Sequence, residues 1–224
     1  MRITLSQAIE FVRARMDELS FDNDDMISPA DDDRNFDTTV EKLLPEAAEF
    51  IVRAAPANLL EPEKAIVVGS AGSAADGIES SSLEEDGSIR VSVSLASGFL
   101  RVVAFKCADS DIYVTGAVPF DSPDARMQVN PYVRGTYDDP VLVARKEPGR
   151  VVLTYYSVKD RNAAAPGFVL YKIDKPSYDG NDSIFCPDFL GPAVLNRLTG
   201  MVLDTYKDTQ HAQTFYQKSA SYIA

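Results

Sequence analysis

Apolar residues recur at helical spacing near both ends of the chain and at strand spacing between them. Leu5, Ala8, Ile9, Val12, Met16 and Leu19 fall on one face of a 3.6-residue repeat. Thr4 and Gln7, just ahead, have the spacing of a capping box, in which a hydroxyl and an amide each satisfy a backbone donor that the first turn leaves free. Together they predict a first helix over about residues 5 to 19. A second box, Thr38 with Glu41, predicts the start of a helix whose stripe is Val40, Leu43, Leu44, Ala47, Ala48, Ile51, Ala54 and Ala55. Pro45 removes one hydrogen bond inside that stripe, so a kink or a restart is expected there, and Ala55-Pro56 ends the helix. The two helices are expected to pair as a hairpin.

From about residue 64 the period shortens. In Ser88 to Ser94 the residues Ile89, Val91 and Val93 alternate with Ser88, Arg90, Ser92 and Ser94, the signature of a half-buried strand. Further strand-like runs are Ala65 to Val68, Val102 to Phe105, Ile112 to Val118, Met127 to Val133, Val141 to Arg145, Val151 to Val158 and Phe168 to Ile173. Glu147-Pro148-Gly149-Arg150 is a hairpin turn between two of them. After Pro187 the helical period returns. Gly191-Pro192 suits a helix start, Ala193, Val194, Leu198, Met201 and Val202 supply one apolar face, and Ala212, Phe215, Tyr216, Tyr222 and Ile223 supply another. One bent helix or two consecutive ones fit that pattern equally.

The resulting expectation is an α+β fold in which terminal helices pack as a small bundle and an antiparallel β-sandwich-like domain is inserted between them. Its parts are an N-terminal helical hairpin over residues 1–60, a β-rich insertion over 61–187, and C-terminal helices over 188–224 packing on the hairpin.

Composition narrows the function classes. A chain of 224 residues with 45% hydrophobic content can bury a substantial core without disulfide staples. No run approaches the roughly 18 apolar residues of a membrane span, and the chain opens on an amphipathic pattern, so a protein that stays in the cytoplasm where it is made is expected. The formal net charge of −12 argues against a positive face that grips nucleic acid through counterion release. That charge is uneven: residues 1–60 hold 13 acids and 6 bases, whereas residues 188–224 hold 3 of each, which marks the C-terminal segment for burial or a partner.

Candidate chemistry is sparse. Cys107 and Cys186 are isolated and expected to be ordinary reduced thiols. The segment Gly69 to Gly77 lacks both the Lys-Ser/Thr of a phosphate loop and the GxGxxG spacing of a dinucleotide site, and is expected to be a plain loop. Asp22 to Asp33 carries six aspartates but would put Ile27 where a calcium loop needs Gly, so it is expected to be a solvated acidic loop with at most a weak cation site. His211, the single histidine, is expected at the surface, and Asp138-Asp139 and Glu84-Glu85 are expected to be solubilising charge. No residue is assigned a catalytic, cofactor-binding or metal-ligating role, no cofactor is expected, and the chain is not expected to be an enzyme.

Three stretches carry a resemblance: Leu43-Leu44-Pro45-Glu46-Ala47-Ala48 running to Ala55-Pro56, then Gly98-Phe99-Leu100-Arg101-Val102-Val103, then Gln128-Val129-Asn130-Pro131-Tyr132-Val133-Arg134-Gly135-Thr136 reaching Pro140-Val141. With the layout of terminal helices around a β insertion, over about residues 1 to 210, they resemble head-to-tail adaptor, or neck ring, proteins of short-tailed and crAss-like bacteriophages. The resemblance implies a virion structural protein made in the host cytoplasm. It would form a homo-oligomeric ring of about twelve copies under the portal protein, touch the adjacent neck or tail protein, and let genomic DNA pass without specific binding. An acidic lumen fits that role, because it repels phosphate. An alternative is a carbohydrate- or ligand-binding β module with helical packing, which the tyrosines Tyr113, Tyr132, Tyr137, Tyr155 and Tyr156 could serve. A hydrolase using scattered carboxylates is a third and weaker reading.

Overall fold

The computed structural model describes residues 1–20, 33–70, 75, 77–156 and 166–224. Almost all of the aspartate-rich segment from Asp22 to Asp33, with its cation reading, lies outside these residues, as do most of the segment from Gly69 to Gly77 and the end of the run reaching Val158. In chain order the elements are β1 (Arg2–Thr4), α1 (Leu5–Ser20), α2 (Asp33–Ala54), β2 (Lys64–Ser70), β3 (Ile78–Leu83), β4 (Ile89–Ser94), β5 (Phe99–Cys107), β6 (Tyr113–Thr115), β7 (Val118–Pro119) and α3 (Pro123–Met127). They continue with β8 (Val141–Glu147), β9 (Arg150–Tyr156), β10 (Pro166–Asp174), β11 (Ser183–Phe185), α4 (Gly191–Thr205) and α5 (Thr209–Ser221). The fold is α+β, with helices at the two ends of the chain and sheets in the middle. The chain divides into two compact units, Met1–Glu61 with Pro176–Ala224, and Pro62–Lys175.

The helical unit draws on both ends of the chain. Thr4 and Gln7 close the capping box: Thr4 N–H donates to Gln7 Oε1 at 3.1 Å and Gln7 N–H to Thr4 Oγ1 at 3.2 Å. The second box does not act as one, because α2 begins five residues earlier, at Asp33. The reason is Phe36, fully buried one turn ahead of Val40, which extends the apolar stripe backwards and draws the preceding turn into the helix. α2 runs through Pro45 without a break. α4 packs against α1, α2 and α5, and buries Ala193, Val194, Leu198, Val202 and Leu203 completely. The C-terminal pattern resolves into two helices, parted at Lys207 with φ +66° and restarted by Asp208, whose carboxylate accepts from His211 N–H at 3.2 Å. Arg197 lies between the Phe50 and Tyr216 rings, 3.8 and 4.2 Å from their centroids, and so joins α2, α4 and α5.

The sequence boundary at residue 187 moves to residue 175. β11 pairs antiparallel with β1, with Ile3 opposite Ile184, and both isoleucines are buried within the helical unit. Strands of three residues carry too little periodicity to be visible in sequence.

The β unit is a sandwich of a four-stranded sheet, order β2-β10-β5-β6, and a five-stranded sheet, order β3-β4-β9-β8-β7. One shared core fills it, including Val68, Phe105, Phe168 and Leu170 from the first sheet and Ile89, Val91, Leu153 and Tyr155 from the second. The Phe105 ring sits 5.1 Å from Tyr155 and 5.1 Å from Phe168, so one aromatic cluster joins the layers. Pro148 and Gly149, the latter at φ +78°, form the β8–β9 hairpin turn. The run from Ile112 to Val118 is split into β6 and β7 by Gly116 at φ +75°, and β7 pairs parallel with β8, the one parallel pair among the described strands. β3 went unseen in the sequence because its three consecutive serines lack apolar alternation. Met127 to Val133 is no strand: Ser122 and Pro123 start the short helix α3, and turns through Asn130 and Pro131 follow it.

The first and last strands of this unit are neighbours. Lys64 and Lys172 lie opposite one another on β2 and β10, and Asp174 receives both ammoniums at 2.6 Å. Lys172 and Asp174 are buried, so removing one partner strands a charge away from water. Asp174→Ala is therefore expected to lower unfolding free energy by about 3 kcal/mol or more, whereas Lys172→Met combined with Asp174→Ala recovers much of the loss, as read by urea denaturation. The same strand pair makes a second prediction. A Cβ at Gly167 would lie 2.5 Å from the Val68 and Gly69 carbonyl oxygens, while one at Gly69 would meet no atom within 4 Å. Thermal melting should show Gly167→Ala destabilised by about 1–3 kcal/mol and Gly69→Ala close to neutral.

Candidate interaction surface

The chain between β7 and β8 is a long excursion that does not join either sheet. Its first turn is set by Ser122, whose Oγ accepts from Ala125 N–H at 3.2 Å, with Pro123 at the first helical position where its missing N–H costs nothing. α3 then ends at Gln128, a buried amide that holds the excursion closed. Its Nε2 donates to the Asp124 carbonyl at 3.1 Å, and its Oε1 accepts from Gly135 N–H at 2.7 Å. Asn130 turns the tip by accepting from Tyr132 N–H at 3.0 Å. Gly135 is required for close approach, since a Cβ there would lie 2.9 Å from Val141 N.

Two further ties fasten the excursion to the sandwich. Arg134 donates to the Asp86 carbonyl at 2.8 Å and pairs with its carboxylate at 3.5 Å, which fixes the excursion to the β3–β4 turn. Tyr137 donates to the Asp109 carbonyl at 2.6 Å, which fixes it to the turn after β5. The apolar side chains at the tip meanwhile face outward: Tyr132 is 93% exposed and Val129 82%, with Phe120, Met127 and Val133 also exposed. Met127, Tyr132 and Val133 share a hollow of about 470 Å³ with Asp124 and Asp139. A loop fastened at three places that still exposes its large apolar groups is a candidate contact surface.

Beside it, the outer face of the five-stranded sheet forms a groove of about 500 Å³. Its floor is Val143, Val152, Thr154 and Tyr156, which alternate with the core residues of β8 and β9, and its rims carry Arg90, Arg145, Phe120 and the β3–β4 turn with Glu84 and Glu85. The Arg145 guanidinium lies 4.8 Å from the centre of the Phe120 ring. At the end of this face Glu147 is held below the usual carboxylate range, first by the Arg150 hydrogen bond at 2.9 Å and then by the charges of Arg150, which pairs with it at 2.8 Å, Arg145 and Arg90. Three arginines around one glutamate leave this corner positive within an acidic protein. Burial, aided by the Asp86 charge, raises the Tyr156 hydroxyl above its ordinary pKa, so it stays a neutral donor at the groove floor.

The residues weighed in the sequence are scattered. Cys107 and Cys186 are free and buried in different units, and burial pushes both thiols up to about 12. His211 is half-buried at the start of α5 with its Nδ1 2.7 Å from Asp208. Asp138-Asp139 and Glu84-Glu85 sit on two separate turns. The tyrosines do not converge: Tyr155 is core, Tyr113 packs on Tyr171 with ring centres 5.9 Å apart, Tyr156 lies in the groove, and Tyr132 and Tyr137 belong to the excursion. Among the described residues no group of three or more His, Cys, Asp or Glu could hold a metal ion, and no helix is long and apolar enough to cross a membrane. Reading Met127 to Val133 as a strand hid the tip, although Asn130-Pro131 is a turn signal. Arg90 was legible as outward-facing from its alternation, but its meeting with Arg145 required the strand order.

No protein-family model matches this chain, and no curated protein matches it in sequence.

Gln128 is the strap that decides whether the excursion keeps this shape. Gln128→Ala leaves the Gly135 N–H and the Asp124 carbonyl without their partner, which should open residues 122–140 locally at a cost of about 1–3 kcal/mol. Limited proteolysis should then cut within this segment much faster than in the unaltered protein, with the melting of the sandwich nearly unchanged.

Proposed function

We propose that this chain is a virion structural protein, a subunit of the connector ring that joins the portal to the tail of a bacteriophage and lines the passage for DNA. The observation that carries this reading is the fastened excursion with its exposed apolar tip, residues 120–140. It coincides with Gln128 to Thr136, the most extended of the stretches that resemble neck ring proteins. A surface that remains apolar after folding suits a subunit whose burial is completed by assembly. The net charge of −12 suits a passage that DNA must slide through, because like charge keeps phosphate from adhering. The partners under this reading are further copies, about twelve to a ring, the portal protein and the next neck or tail protein.

A second reading, a carbohydrate- or ligand-binding β module, draws on the groove, where Tyr156 and two arginines line an open hollow over an apolar floor. The two readings separate in one experiment. Light scattering coupled to size-exclusion chromatography is run on the purified chain, then repeated after mixing with the portal ring of the same virion. The connector reading expects either a large defined ring or a smaller species that co-elutes with the portal. A monomer that ignores the portal overturns it and favours the binding module.

A further inference from the structure

The excursion and the groove are complementary in chemistry, and among the described residues neither is filled. The tip presents an aromatic ring and two aliphatic side chains, Tyr132 with Val129 and Val133, beside the carboxylates of Asp124 and Asp139. The groove presents the exposed Phe120 ring and the half-buried Tyr156 beside the guanidiniums of Arg90 and Arg145. Glu147 is one carboxylate shared among Arg150, Arg145 and Arg90, so it offsets only part of that charge. The match has a second half: the groove's acidic rim, Glu84 and Glu85, finds a counter-charge in Arg126, exposed on α3.

We infer that the tip of one copy seats in the groove of a second copy, so that the chain carries both halves of its own subunit contact. This inference rests on the connector reading and supplies the contact that reading needs. Tyr132 enters beside the exposed Phe120 ring and over Tyr156, where its flat ring buries apolar area at small entropic cost. Asp124 and Asp139 meet Arg90 and Arg145 at the rim, which sets orientation and speeds encounter more than it adds affinity. Because tip and groove are different surfaces, the contact can be head-to-tail, and head-to-tail contacts close into rings when their rotation allows.

The test uses the full chain with one cysteine added to each half. Val129→Cys marks the tip and Glu85→Cys the groove rim, and the native Cys107 and Cys186 remain silent because they are buried with thiols held near 12. A short bis-maleimide should cross-link a mixture of the two variants into a hetero-pair, and should leave each variant alone largely uncoupled. The reaction is run on the isolated chain at high concentration and on the portal-bound complex. Adding Tyr132→Glu to the tip variant should abolish the hetero-pair, and Tyr132→Ala should weaken association by about thirtyfold in sedimentation. Tyr132→Glu mixed with Arg145→Glu, each defective in one half, should still form pairs through the remaining intact tip and groove.

Absence of the hetero-pair in both settings, or unaltered association of Tyr132→Ala, overturns the inference. If the chain joins the portal while tip and groove stay uncoupled, this contact is wrong and the connector reading stands. If the pair couples while the chain neither closes into a defined ring nor joins the portal, the contact stands and the connector reading falls.

Discussion

The pairing of β2 with β10 is the constraint on which the architecture rests. The first and last strands of the β unit run side by side, from Lys64 opposite Lys172 to Ser70 opposite Pro166. Its two chain connections, at Pro62 and Lys175, therefore leave from one place, and the flanking segments are free to build a single helical unit from both ends of the chain. Asp174, clamped by two ammoniums and donating its N–H to Glu63 at 3.4 Å, secures that junction where a buried charge tolerates no misregister.

From that constraint the functional surface follows. The sandwich core, joined across its layers by Phe105, Tyr155 and Phe168, is rigid enough to carry elements that contribute nothing to it. The excursion is such an element. It is tied to two turns at the sandwich surface by Arg134 and Tyr137, and internally by Gln128, so its shape is settled by polar contacts. Its apolar side chains are left over, and leftover apolar surface on a fixed scaffold is what a subunit contact requires.

Electrostatics divides the molecule in the same way. The chain is acidic as a whole, yet Arg90, Arg145 and Arg150 gather on one sheet face around a single carboxylate. An acidic body limits adhesion to nucleic acid and to random neighbours. The arginine side of the groove, with Arg90 and Arg145, faces an acidic rim of Glu84 and Glu85, and under the proposed function the excursion of another copy, with Asp124, Asp139 and Arg126, carries the matching charges.

The sequence by itself determined the elements whose information is local. The capping box of Thr4 and Gln7, the stripe from Val40 to Ala55, the alternation of Ile89, Val91 and Val93 and the Pro148-Gly149 turn each depend only on residues a few positions apart, so periodicity and backbone preference disclose them. Tertiary structure alone decided the rest. The three-residue strands β1 and β11 exist only because Ile3 and Ile184 find each other across the chain, and β3 pairs although its serines show no strand pattern. The start of α2 at Asp33 depends on where Phe36 is buried. Groove and tip were hidden for the same reason. The groove exists because Arg90, Arg145 and Tyr156 lie on adjacent strands, and the tip is held outward because Arg134 and Tyr137 bond to distant backbone groups while Gln128 closes it locally. Composition and spacing carry no record of which strands become neighbours, and these contacts form only once long-range pairing has chosen them.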